Sequence, residues 1–138
     1  MSQAFLSLGA VTIFMFLSVN ILRSYVNAAH QTVNSQQEID AINFGISITD
    51  ELYSQSFNYD SLETNYGNLN DIRFESTRKN YITTTQDTLA ATISLSEERE
   101  ILIGSHGRVA TITIYRIEDG TASELATQYA SIVPYNSN

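Results

Sequence analysis

Two histidines, a glutamate-rich stretch and a cluster of oxygen-bearing side chains are the residues whose types could do chemistry. His30 lies in the polar stretch HQTVNSQQE, and His106 lies between two glycines in Gly104-Ser105-His106-Gly107. Ser-His-Asp chemistry requires a base held in a packed pocket by an orienting carboxylate. A histidine at a turn tip is solvated instead, so no catalytic role is expected. Asp60, Glu63, Asn65, Asn68, Asn70 and Asp71 set hard oxygen donors close together. That composition suits calcium, but the spacing is not that of an EF-hand. Glu97-Glu98-Arg99-Glu100 reads as a solvated segment that discourages sheet-edge pairing. The Gly104–Gly107 turn is no phosphate loop, because it joins a strand to a strand and opens no helix. With no cysteine, disulfides, thiolate metal sites and thiol nucleophiles are excluded. The chain is expected not to be an enzyme and to carry no cofactor or metal.

The elements that would position these groups follow from hydropathy. Residues 4–22, AFLSLGAVTIFMFLSVNIL, carry no charge, and Arg23 is the first ionisable side chain after Met1. A helix of that length spans roughly 28 Å, near the hydrocarbon thickness of a bilayer. It is apolar around its whole circumference, so it requires lipid or something that replaces lipid. A secretory signal opens with basic residues and ends at a small-residue cleavage site. Here Met-Ser-Gln precedes the run and a helical pattern continues beyond it, so a retained helix is expected.

From residue 23 to about 55 there is no proline and one glycine, Gly45. Leu22, Val26, Ala29 and Val33, then Ile39, Ile42, Ile46, Thr49 and Tyr53, recur at steps of three and four. Such steps mark one helical face. Ala41, Phe44, Ile48 and Leu52 form a second stripe that widens it. The spacing predicts one continuous helix of about 50 residues, roughly 75–80 Å long. Residues 1–24 form its apolar part and residues 25–55 its continuation, which becomes amphipathic and packs on a head domain through Ile39, Ile42, Ile46 and Leu52.

Residues 56–80 are rich in Asn, Asp, Ser and Tyr and read as a loop with a turn or short strand near 72–74. Strand signals follow at 81–85, at 89–95 with Leu89, Ala91, Ile93 and Leu95 alternating, and at 100–103. Residues 108–117 should turn Ala110, Ile112 and Ile114 to the core. Glu118-Asp119-Gly120 supplies a turn and residues 123–133 a last strand. Three or four strands in hairpin order make an antiparallel meander. The predicted class is α+β: a long N-terminal hydrophobic helix packed at its C-terminal half against a small antiparallel sheet, with residues 56–138 forming the head.

Seven Lys+Arg against fifteen Asp+Glu give a net charge of −8. With no basic stripe to release counterions, nucleic acid is not an expected partner. The eight tyrosines and six phenylalanines raise surface adhesion as a question, and core and interface packing accounts for them.

The run at 4–22, its unbroken continuation to about residue 55 and the sheet from about 81 to 133 resemble the type IV pilin superfamily. The resemblance is one of architecture. It implies a structural subunit, held in the inner membrane before assembly and then drawn by pilus or secretion machinery into an extracellular filament on the cell surface. The filament is a helical homopolymer of copies of the chain. Its core helices would use Phe5, Leu6, Gly9, Val11, Ile13, Phe14, Phe16, Leu17, Val19 and Leu22. Ser7, Gly9, Ala10, Thr12 and Ser18 would let helices approach closely, or serve equally in an isolated anchor.

The family's usual early glutamate, which pairs with a neighbouring subunit's amino group, is missing, since the first acid is Glu38. Arg23 alone, under the positive-inside rule, would place the head in the cytoplasm, whereas the resemblance implies the outside. A single-pass anchored scaffold or binding protein, or a minor pseudopilin of a secretion or pilus machine, meets the same requirements. Under every one of these readings, removing residues 1–24 yields a soluble monomer, which sedimentation of the truncated chain checks.

Overall fold

A segment with no proline and only two glycines, Gly9 and Gly45, contains nothing that must end a helix. In the computed structural model, which describes residues 2–135, one helix, α1, occupies Ser2–Ser54. Met1 and residues 136–138, the outer ends of the first and last predicted segments, lie outside the described residues. The chain divides into two compact units, Met1–Gln37 and Glu38–Asn138, and α1 contributes to both. The first unit is helix throughout its described residues.

In the second unit, α1 ends in a 3-10 segment, Gln55–Ser61, followed by a short helix α2, Leu62–Tyr66. Five strands follow: β1 Lys79–Ile82, β2 Thr88–Leu95, β3 Arg99–Leu102, β4 Ser105–Glu118 and β5 Thr121–Ile132. All pairings are antiparallel. β4 is the hub: it pairs with β2, β3 and β5, while β1 pairs with β2. The class is α+β with a five-stranded sheet, one strand more than the upper expectation.

Local chemistry explains the register. Asp119 and Gly120 both have positive φ, 51° and 77°, the conformation of the two-residue hairpin turn that favours Asp-Gly. The β4–β5 ladder runs from Glu118↔Thr121 to Arg108↔Ile132, with one irregularity where Leu125 is left over between Glu124 and Ala126. Along β4, Ala110, Ile112 and Ile114 are fully buried while their neighbours Thr111, Thr113 and Tyr115 are half-buried, so the alternation is as predicted. β2 departs from it: Leu89 through Ile93 are all buried, so that strand is covered on both faces.

The core joins Ala41, Ile48 and Leu52 of α1 to Leu62 and Tyr66 of α2 and to Ala91, Ile93, Ala110, Ile112, Ile114, Ala130 and Ile132 of the sheet. Burying each such Leu or Ile contributes about 1.5–3 kcal/mol before the entropy of ordering it is subtracted.

Of the four residues predicted to pack α1 on the head, Leu52 is buried, but Ile39, Ile42 and Ile46 are 50%, 46% and 48% exposed. The buried face is the second stripe, with Gly45 added to it. Its small residues are the reason. The Gln128 side chain of β5 reaches the helix backbone, donating from Nε2 to the Ile42 carbonyl at 3.2 Å, while Thr49 Oγ1 lies 3.5 Å from Gln128 Oε1. A Cβ on residue 45 would lie 2.6 Å from Gln128 Nε2, so glycine opens the slot that the amide fills. Ala41 and Gly45 thus let the sheet come close, and the bulkier isoleucines turn aside.

The segment 56–80 is also more ordered than a loop. Besides α2 it holds a 3-10 turn, Glu75–Thr77, and is tied down by Arg78, whose Nη1 donates to the Ile72 carbonyl at 2.9 Å. Truncation separates the two helix faces. Ile48→Ala should cost about 2–4 kcal/mol, and Ile42→Ala under about 1 kcal/mol, in denaturant titrations of the full chain in detergent.

Candidate assembly surface

Each of the ten residues predicted for a filament core lies on α1. Apart from Gly9, their exposures run from 49% at Val19 to 74% at Phe5. They stand on every side of the helix, as the absence of a polar stripe requires. A Cβ added at Gly9 would meet nothing within 4 Å, so the glycine serves no contact within the chain. Two threonine hydroxyls, one in the run and one beyond it, are satisfied locally. Thr12 Oγ1 donates to the Leu8 carbonyl at 2.8 Å, and Thr32 Oγ1 to that of Ala28 at 2.9 Å. In a dry environment that removes the penalty of a bare hydroxyl. Among the described residues one helix is long and apolar enough to cross a membrane.

The second unit leaves several apolar groups exposed, Phe57, Phe74, Ile82 and Tyr135 among them, and two aliphatic groupings bear on the sequence reading. One is the stripe Ile39, Ile42 and Ile46. The other is the β3–β4 turn, where Leu102 is 69% exposed and Ile103 wholly so. The turn is formed by Ile103 and Gly104, shorter than the four residues expected, because Ser105, His106 and Gly107 already belong to β4. Gly104 takes φ +79°, and its N–H donates to Glu100 Oε1 at 2.8 Å. Sequence reasoning missed this patch; the signal was a pair of aliphatic residues running straight into a glycine.

The groups singled out for chemistry are dispersed. His30 and His106 are exposed. Asp71 binds the Arg73 guanidinium at 2.7 Å, and those hydrogen bonds, with one from the Arg73 backbone N–H, hold its carboxyl at about 2. Glu63 pairs with Arg108 of β4. No group of three or more His, Asp or Glu side chains that could hold a metal occurs among the described residues.

A polar network closes the end of α1. Lys79 of β1 donates to both carboxylate oxygens of Glu51, at 2.8 and 2.9 Å, and the Tyr66 hydroxyl of α2 donates to the same group at 2.7 Å. Burial is the largest single influence on Glu51 and pushes its pKa up. The Lys79 and Tyr66 hydrogen bonds and the Lys79 charge together outweigh it, so the net shift is downward. Burial first, then the Glu51 carboxylate, pushes the Tyr66 phenol up.

No protein-family model, no curated protein and no solved structure matches the chain.

A carboxylate whose folded pKa lies below its unfolded value stabilises the fold above the unfolded pKa, and loses that contribution as pH falls through the folded one. For Glu51 the loss sets in below about 4.5. Glu51→Gln should therefore flatten the acid limb of the stability curve, read as thermal midpoints between pH 6 and pH 3.

Proposed function

We propose that the chain is a structural subunit of a helical filament resembling type IV pili, extracellular once assembled and held in a membrane beforehand. The observation that supports this best is the first part of α1, apolar on all sides and exposed throughout its described residues. A lone helix of that kind is stable in lipid, where its backbone is satisfied internally. A bundle of identical helices satisfies it equally well and adds close packing, for which Ser7, Gly9, Ala10 and Ser18 leave room. Polymerisation then consists of moving the helix from lipid into a core of its own copies. Contacts between unlike surfaces repeat without closing, so the product is a fibre.

No covalent step and no cofactor enters this mechanism. The first carboxylate is Glu38, and in this reading side-chain packing sets the register along the core.

Electron microscopy of negatively stained material sheared from expressing cells should show regular fibres that contain the chain. If the chain is found only in membrane fractions, as a monomer and never in fibres, the filament reading fails. That outcome would favour a single-pass anchored scaffold or binding protein, or a minor component of a secretion or pilus machine.

A further inference from the structure

The stripe Leu22, Val26, Ala29 and Val33 lies in the first unit and is exposed along its whole length. It is part of a longer pattern. Thr12, Val19, Val26 and Val33 recur every seven residues, and so do Leu8, Met15, Leu22 and Ala29 between them, so the steps alternate four and three. That is the repeat of a coiled-coil seam, with the first set at its a positions and the second at d. We infer that this seam joins two copies of the chain as a parallel, in-register coiled coil while they are held in the membrane. The inference rests on the membrane-held state proposed above and goes beyond the filament, whose assembly it precedes.

Composition selects this face. The run at 4–22 is apolar all round and prefers no side, but from 23 to 37 the a and d columns hold Val26, Ala29 and Val33. Off those columns the apolar side chains in that stretch are Tyr25 and Ala28. A stripe confined to a and d is the narrow seam of a coiled coil, not the wider face that packs on a globular core. The same two columns continue as Gln36, Asp40, Asn43 and Ser47, so the seam stops where the first unit does, at Gln37.

Side-chain shape selects the partner. The four a residues are all β-branched, and leucine at d beside β-branched a residues favours two parallel strands. In a parallel pair in register each seam residue meets its own counterpart, so a second copy is complementary by symmetry. Single-pass chains in one membrane share an orientation, which supplies the parallel arrangement. Two shallow hollows on the helix repeat with the heptad. One is lined by Val11, Met15, Ser18 and Val19 among others, and its counterpart two heptads on by Tyr25, Ala29, Thr32 and Val33. They flank the seam, where side chains of a facing helix insert.

Charge agrees. All fifteen acids fall at or after Glu38, and Arg23 is the one Lys or Arg before it. In a parallel pair each g position faces the next e position of the other copy, which sets Arg23 against Ser18 and His30 against Tyr25. No like charges meet.

The chain has no native cysteine, so single cysteines report the contact. Full-length Val26→Cys, Ala29→Cys and Val33→Cys chains, and Ser24→Cys, Gln31→Cys and Ser35→Cys chains from the opposite side of the helix, are reconstituted in phosphatidylcholine vesicles, oxidised and run on non-reducing gels. Disulfide-linked dimers in the three seam variants and in none of the others support the pair. Equal cross-linking on both sides, cross-linking at one seam position alone (an antiparallel crossing), or monomer throughout overturns it. Sedimentation in a nonionic detergent should count two chains per particle, and any other number overturns the two-stranded assignment. Val33→Asp in the Ala29→Cys chain should lower the dimer yield on the order of tenfold, because the seam would bury an unpaired charge. Asn34→Asp, one position off the seam, should leave the yield unchanged; equal losses in both overturn the contact. Vesicle-bound chain without seam dimers removes the pair alone, whereas chain that does not float with the vesicles removes the membrane-held state beneath it.

Discussion

Everything in this chain is arranged around the cost of hydrating an uncharged helical surface with no polar side. Residues 4–22 are exposed throughout, and a helix apolar on all faces needs neighbours all round to be covered. The second unit meets a different requirement. It builds a separate core from the end of α1, a short helix and a sheet.

That second core depends on intimacy more than on bulk. Alanines at 41, 91, 110 and 130 and the glycine at 45 bring helix and sheet close, while isoleucines and leucines fill the remaining space. Close approach makes a polar bridge feasible between Gln128 and the helix backbone. The Glu51–Tyr66–Lys79 network then fastens α1, α2 and β1 at one point. A helix turned by one position would lose both.

Much of this was legible in the residues. The length of α1 follows from the absence of proline, β4 from its threonine–isoleucine alternation, and the last hairpin from Asp119-Gly120. The buried face of α1 was not legible, because Ile39-Ile42-Ile46 and Ala41-Ile48-Leu52 are both helical stripes. The choice is made by the distant Gln128, and the bulkier stripe was the wrong one for a close contact. α2 was hidden by its Asn- and Asp-rich surroundings, whose local propensities favour turns. The exposed tip at Leu102 and Ile103 was hidden because hydrophobicity reports what prefers burial, not what the fold manages to cover.

The slot at Gly45 has a chemical lifetime. Deamidation of Gln128 would replace the amide that donates to the Ile42 carbonyl with a carboxylate that only accepts. Two acceptors would then face each other in a space shaped for a donor, with the new charge held against the helix backbone. One spontaneous hydrolysis would loosen helix from sheet, so the amide of Gln128 ties the stability of this unit to the chemical age of the chain.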